Sequence, residues 1–317
     1  MIVNAKNPPI ARPVDQLVAT LDDALSLLKE FAHSGETLGV SHKDPASLLE
    51  QCLSLCAQHQ AVTPEPIRLV HHFACTGGTL LCKCIAAMPN VQLLSEVDPL
   101  STVLEQPSKP RFASTDMVTL MRQSTRGATP ELIIELFLNN LKIIHSDAVT
   151  LGQRLVVRDH AHSHFCFGRE IQARPSLRAM VSSRFPIRSV LTVRHPLDSF
   201  LSLEANGWVN FWPATIDEYC KRYIAFLHAY EGVPVFKYEN FIAAPQEVMR
   251  KLCFLLEIPY SDQFIDLFSV FKLTGESGRR SNFIEYRPRR LVNERLSKEL
   301  DQSHHYQVLR TTLKYAE

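Results

Sequence analysis

The segment Cys75-Thr76-Gly77-Gly78-Thr79-Leu80 is the stretch best suited to chemistry, because an apolar run over residues 67–73 ends there in two glycines and a threonine. Leu80, Leu81, Cys84, Ile85 and Met88 then recur at helical spacing until Pro89-Asn90 breaks the pattern. A strand, a glycine turn and a helix start in that order make an anion cradle. The glycines let the backbone come close, and the first turn of the helix offers free N–H groups at the positive end of its dipole. Thr79 adds a hydroxyl donor. The loop of nucleotide triphosphatases reads GxxxxGK[ST], and no Gly-Lys pair occurs in this chain, so the usual lysine and magnesium-binding hydroxyl are missing. The loop predicts a phosphate-like ligand and argues against ATP hydrolysis.

A second anion site is written in Arg194-His195-Pro196-Leu197-Asp198-Ser199-Phe200-Leu201-Ser202, which follows the apolar run 187–193. Arg194 offers a bidentate fork at a strand end, and Ser202, eight residues on, can turn back to the same oxyanion from the following helix. A plainer reading pairs Arg194 with Asp198 and leaves the serines to solvate the helix.

These motifs need a scaffold, and the rest of the chain supplies its pattern. Apolar runs over 67–73, 91–94, 154–157, 187–193 and 233–237 alternate with helical patterns over 130–144, 198–206 and 215–230, followed by 246–257 and 261–271. That alternation predicts an α/β fold, a mostly parallel sheet flanked by helices, with ligands beyond the carboxyl ends of its strands. Val14, Leu17, Val18, Leu21, Leu25, Leu28 and Phe31 mark one helix face, and a second helix near 45–60 completes an N-terminal helical hairpin. The expected division is therefore a helical extension over 1–62 and an α/β domain over 63–317.

The 317 residues carry a net charge of +1, so no global field draws the chain to nucleic acid, and any anion site is local. There is no apolar run of about 18 residues and no signal-like start, which predicts a cytoplasmic protein without membrane partners. The eight cysteines are scattered through helical and strand patterns as reduced core residues would be, Cys52 and Cys56 included.

Taken in order, the glycine loop with its helix, Arg-His-Pro-x-Asp-x-x-x-Ser after a later strand, and Lys237-Tyr238-Glu239-Asn240-Phe241 resemble the sulfotransferase family over about residues 67–290. The resemblance implies a P-loop nucleotide-kinase-like fold. It also implies 3′-phosphoadenosine 5′-phosphosulfate as co-substrate, a small-molecule or carbohydrate acceptor bearing a hydroxyl or amine, and no metal. Residues 75–80 would hold the 5′-phosphosulfate, and Arg194 with Ser202 the 3′-phosphate. Glu276-Ser277-Gly278-Arg279-Arg280 resembles the family's late loop, so Arg279 and Arg280 join the nucleotide site, while Arg287, Arg289 and Arg290 read as solvated surface.

One departure stands out. The family carries Lys or Arg before the loop's small residues, and this chain has Thr76 there, so another cation must face the leaving phosphate. Arg158, at the end of a strand, is the favoured replacement over Lys83 and over Arg279 or Arg280. Arg158-Asp159-His160 resembles the family's Lys-Thr-His, which makes His160 the candidate base, a role a neutral imidazole suits. Glu96, which resembles a glutamate used by some bacterial carbohydrate sulfotransferases, is the other candidate.

Three competing readings remain. His160, His162, His164 and Cys166 at period two could offer zinc ligands, although side chains on one side of a short extended segment do not close a tetrahedron alone. A P-loop kinase or nucleotide hydrolase would need magnesium with ATP. A non-catalytic nucleotide-binding or partner-binding protein would bind without turnover. Trp208, Phe211 and Trp212 are candidates for an acceptor pocket or for core.

Overall fold

Ile67–His72 (β1) is buried along its whole length, as a strand covered on both faces must be. A computed structural model of the chain describes residues 22–23, 25–26, 64–103, 112–275 and 283–315. Around β1, Val91–Val97 (β2), Arg154–Asp159 (β3), Ile187–Val193 (β5) and Val235–Lys237 (β7) complete a five-stranded sheet in the order β2-β3-β1-β5-β7. Every pairing in it is parallel. Phe167–Gly168 (β4) and Asn210–Phe211 (β6) form a separate short ribbon. The fold is α/β, a parallel sheet with flanking helices.

Helices carry the crossovers. Gly78–Ala86 joins β1 to β2, Pro130–Thr150 leads into β3, and Ile216–Ala229 joins β5 to β7. The helix Gly78–Ala86 buries Leu80, Leu81, Cys84 and Ile85, the face its spacing predicts, against Leu252, Leu256 and Phe264. Phe73 at the end of β1 packs instead into an aromatic cluster with Phe200, Tyr219, Tyr223 and Phe226. These clusters fix both sides of the loop that lies between them.

The strand order places the chemistry. From β1 the chain moves outward to β2, returns through β3 and crosses to β5, so β1 lies between β3 and β5 at the point where the winding reverses. Loops leaving the carboxyl ends of β3, β1 and β5 therefore border one crevice. Arg158, the glycine loop and Arg194 stand at these three ends.

Several elements differ from the expected ones. Residues 161–165 are helical rather than extended, and the span 261–271 shrinks to Phe264–Leu267 followed by a 3₁₀ turn at Phe268–Val270. Glu294–Gln302 and His304–Thr312 are further helices, which bury Leu296 and Tyr306 with Leu309. The chain divides into units Met1–Pro64 and Glu65–Glu317. Apart from helical Asp22, Asp23, Leu25 and Ser26, the expected hairpin lies outside the described residues, as do Cys52 and Cys56. No helix among the described residues is long and apolar enough to cross a membrane.

Candidate active site

The loop after β1 is shaped by close packing. Gly77 has φ +89°, and a Cβ there would fall inside the Tyr238 ring; a Cβ on Gly78 would fall inside the His72 imidazole. Thr76 is buried, and its backbone N–H and hydroxyl both bond Phe73 O, at 3.3 and 2.8 Å, so its side chain closes the turn rather than facing a ligand. The helix then starts at Gly78 with no side-chain cap and no acidic residue in its first turn. Its leading N–H groups are left for an anion.

Gly78→Ala is accordingly expected to cost about 1–3 kcal/mol of stability by overpacking. The displaced imidazole carries the loss into the site. Denaturant unfolding and nucleotide titration of the variant check this, and unchanged values in both would contradict the packing account.

Arg158 projects from β3 toward this loop. Its neighbour Asp159 points to the opposite face, as alternation requires, and is held there by His71 Nδ1 at 2.7 Å and by the Tyr230 hydroxyl at 2.5 Å. The buried Arg158 guanidinium donates from Nε to His72 Nε2 (2.9 Å), from Nη1 to Ser95 Oγ (3.1 Å) and Thr274 O (2.9 Å), and from Nη2 to Thr79 Oγ1 (2.8 Å). Nη2 also pairs with Glu96 Oε1 at 3.1 Å. Because His72 accepts at Nε2, its proton sits on Nδ1, which faces Phe73 O at 3.2 Å. Burial first, and the Arg158 charge second, hold the His72 pKa well below the ordinary histidine value. The imidazole therefore stays neutral and stays an acceptor. Arg158, the favoured replacement for a cation at Thr76, is thus hydrogen-bonded from β3 to the loop's own Thr79.

Arg194 stands at the end of β5. Its guanidinium lies 4.8 Å above the Tyr238 ring, and its Nη1 approaches Cys75 O at 3.4 Å. Asp198 does not pair with it; that carboxylate is taken by Arg289, with Nε to Oδ1 at 2.7 Å. Ser202, on the helix Pro196–Ala205, borders the cleft with Cys75, whose thiol pKa burial pushes up. Glu239 accepts from His195 N at 2.9 Å and fixes the turn that presents Arg194.

One cleft of about 820 Å³ takes in residues 75–80 together with Glu96, Arg158, His160, Arg194 and Ser202. Arg279 and Arg280 lie outside the described residues. His160 heads the short helix Ala161–Phe165, with its N–H donated to Val97 O at 3.1 Å. His162 joins it in the cleft, and burial, aided by His160, lowers its pKa to about 4. The helical turn disperses the other period-two residues: His164 Nε2 meets Gln172 O at 2.9 Å, and Cys166 is buried in the aromatic core. Among the described residues no three His, Cys, Asp or Glu side chains are grouped to hold a metal ion.

Lys83 also lines the cleft, and so do Arg287, Arg289 and Arg290, which stay exposed as their surface reading expects. Of the three aromatics, Trp208 borders the cleft, Phe211 is core, and Trp212 is 64% exposed beneath Arg169. Tyr238, from the Lys237-Phe241 segment, lines the cleft, and so does Lys272, which was not singled out because an isolated lysine after a helix carries no distinctive spacing.

Neither a family model nor a curated protein matches this chain. Solved structures do. The sulfotransferase domain from the curacin biosynthetic pathway is 16% identical, with a TM-score of 0.49 over 80% of this chain and 99% of that one. The sulfotransferase domain of a Synechococcus olefin synthase is 13% identical, with a TM-score of 0.46 over 89% and 100%. A mouse sulfotransferase complexed with PAP is 13% identical, with a TM-score of 0.43 over 80% and 90%. All three are sulfotransferases. At these identities the likeness concerns the fold, and the chemistry is read from the cleft itself.

Proposed function

We propose that this chain is a sulfotransferase that moves a sulfuryl group from 3′-phosphoadenosine 5′-phosphosulfate to a hydroxyl or amine of a small-molecule or carbohydrate acceptor. The observation that carries the reading is that one cleft gathers two separate sets of groups suited to anions at neighbouring strand ends. One is the capless helix start with Thr79 and Arg158; the other is Arg194 with Ser202. A donor with phosphates at both ends of its ribose matches two sites. A triphosphate, whose charges lie in one row and require a lysine and a magnesium-holding hydroxyl in the loop, matches less well.

In this reading His160 takes the acceptor's proton, the acceptor oxygen or nitrogen forms a bond to sulfur, and the bond from sulfur to the bridging phosphate oxygen breaks. The electron pair leaves with the 5′-phosphate. The negative charge gathered there faces the helix N–H groups and Arg158. Glu96 is paired with Arg158 before the donor arrives, so His160 is taken as the base and Glu96 as the alternative.

Arg194 provides the test. Arg194→Ala is expected to weaken binding of adenosine 3′,5′-bisphosphate by about 1.5–3 kcal/mol, the range for hydrogen bonds to a charged group. Affinity for adenosine 5′-monophosphate, which lacks the second phosphate, is expected to change far less. Equal losses for both ligands, or none, measured by titration calorimetry, would remove the 3′-phosphate assignment.

A further inference from the structure

Glu96 occupies an unusual backbone position. It sits where the pairing of β2 with β3 shifts register between Leu94 and Val97, and its φ is +57°, a left-handed conformation that glutamate rarely adopts. The bulge turns the carboxylate inward, so that Oε1 lies 3.1 Å from Arg158 Nη2 and the side chain packs directly beneath Gly275. The same Nη2 also donates to Thr79 Oγ1 in the anion loop at 2.8 Å. Four hydrogen bonds and this one ion pair account for all three nitrogens of the guanidinium.

An anion that reaches Arg158 from the loop must therefore take the place of a group already there. His72, Ser95 and the Thr274 carbonyl are neutral, and they fix the plane of the guanidinium from within the fold. Glu96 alone resembles the incoming ligand in charge and geometry. Its side chain is 20% exposed against 2% for Arg158, so it has a way out of the pair. We infer that Glu96 is an internal stand-in for the donor's anion: it holds Arg158 in its working orientation and gives up that place when a phosphosulfate or similar polyanion enters the loop. A carboxylate already bound to Arg158 yields to a ligand that brings more charge and more hydrogen bonds. The pair thereby selects polyanions over monovalent ones. Displacement also breaks the contact beneath Gly275, which ties donor entry to the segment whose Gly275 carbonyl accepts from Thr79 Oγ1 at 2.9 Å.

The inference rests on the reading of the loop as an anion site, and its test separates the two. Adenosine 3′,5′-bisphosphate and pyrophosphate are titrated calorimetrically into the wild type, Glu96→Gln and Glu96→Asp, each first checked for cooperative thermal unfolding. Asp keeps the charge, is more at ease at positive φ, and is one methylene too short to hold Arg158. If Glu96 competes with the ligand, both variants bind about tenfold more tightly than the wild type. Tightening in Gln but not in Asp means general repulsion and overturns the stand-in role. Unchanged or weaker binding in both variants overturns it too, while leaving the anion site intact. Absence of binding of either ligand to the folded wild type overturns the loop reading and the inference with it.

Discussion

Arg158→Leu is expected to lower turnover by about 10²–10³-fold, the loss that follows removal of one preorganised donor to a developing anion, or about 2.7–4 kcal/mol. The expectation follows from the loop's chemistry. Thr76 stands where a cation is expected and is turned into the backbone, so the loop can position a phosphosulfate but brings no charge of its own to the leaving oxygen. Arg158 is a buried cation hydrogen-bonded to that loop, through Thr79. Leucine also leaves Glu96 without its partner, so part of the effect will appear as lost stability. Arg158→Lys separates the two contributions. It keeps the charge and loses the fork to His72, Ser95 and Thr79, and is expected to retain more of the product-nucleotide affinity than of turnover. Turnover within threefold of wild type in folded Arg158→Leu would show that the leaving charge is stabilised elsewhere.

The second large effect belongs to His160. Its removal is expected to cost about 10²–10⁴ in turnover, the usual contribution of a positioned general base, with nucleotide affinity unchanged. The side chain is half-buried at the head of a short helix that is tied to the end of β2, and it shares the cleft with the anion loop. Steady-state kinetics of His160→Ala beside Glu96→Gln separate base from bystander. If the His160 variant keeps full turnover, the assignment fails.

Much of this scaffold is legible from pattern alone. The run over 187–193 is the strand Ile187–Val193, and the loop helix buries the face its spacing marks, because both elements are packed between apolar neighbours and obey a single period. The candidates at the ends of β1, β3 and β5 meet for a topological reason: parallel crossovers bring successive strand ends to one edge. What pattern could not show depends on contacts distant in sequence. The alternating histidines after Asp159 read as extended, yet a helical turn sends His164 to the Gln172 carbonyl and Cys166 into the core. Arg287, Arg289 and Arg290 look like ordinary surface charge until the chain folds them onto the cleft, where Arg289 takes Asp198 and leaves Arg194 unopposed by that carboxylate. Neither the neutral His72 beneath Gly78 nor the contact between Arg194 and the Tyr238 ring has any local signal.

In the proposed reading, two phosphate sites in one cleft serve a donor with phosphates at both ends of its ribose. Calorimetric titration of the full chain with adenosine 3′,5′-bisphosphate, and with ATP in the presence and absence of magnesium, tests it directly. Tight, magnesium-independent binding of the bisphosphate, at least tenfold stronger than that of ATP, is the predicted result. Preferential binding of ATP with magnesium would contradict it and return the cleft to the kinases and nucleotide hydrolases.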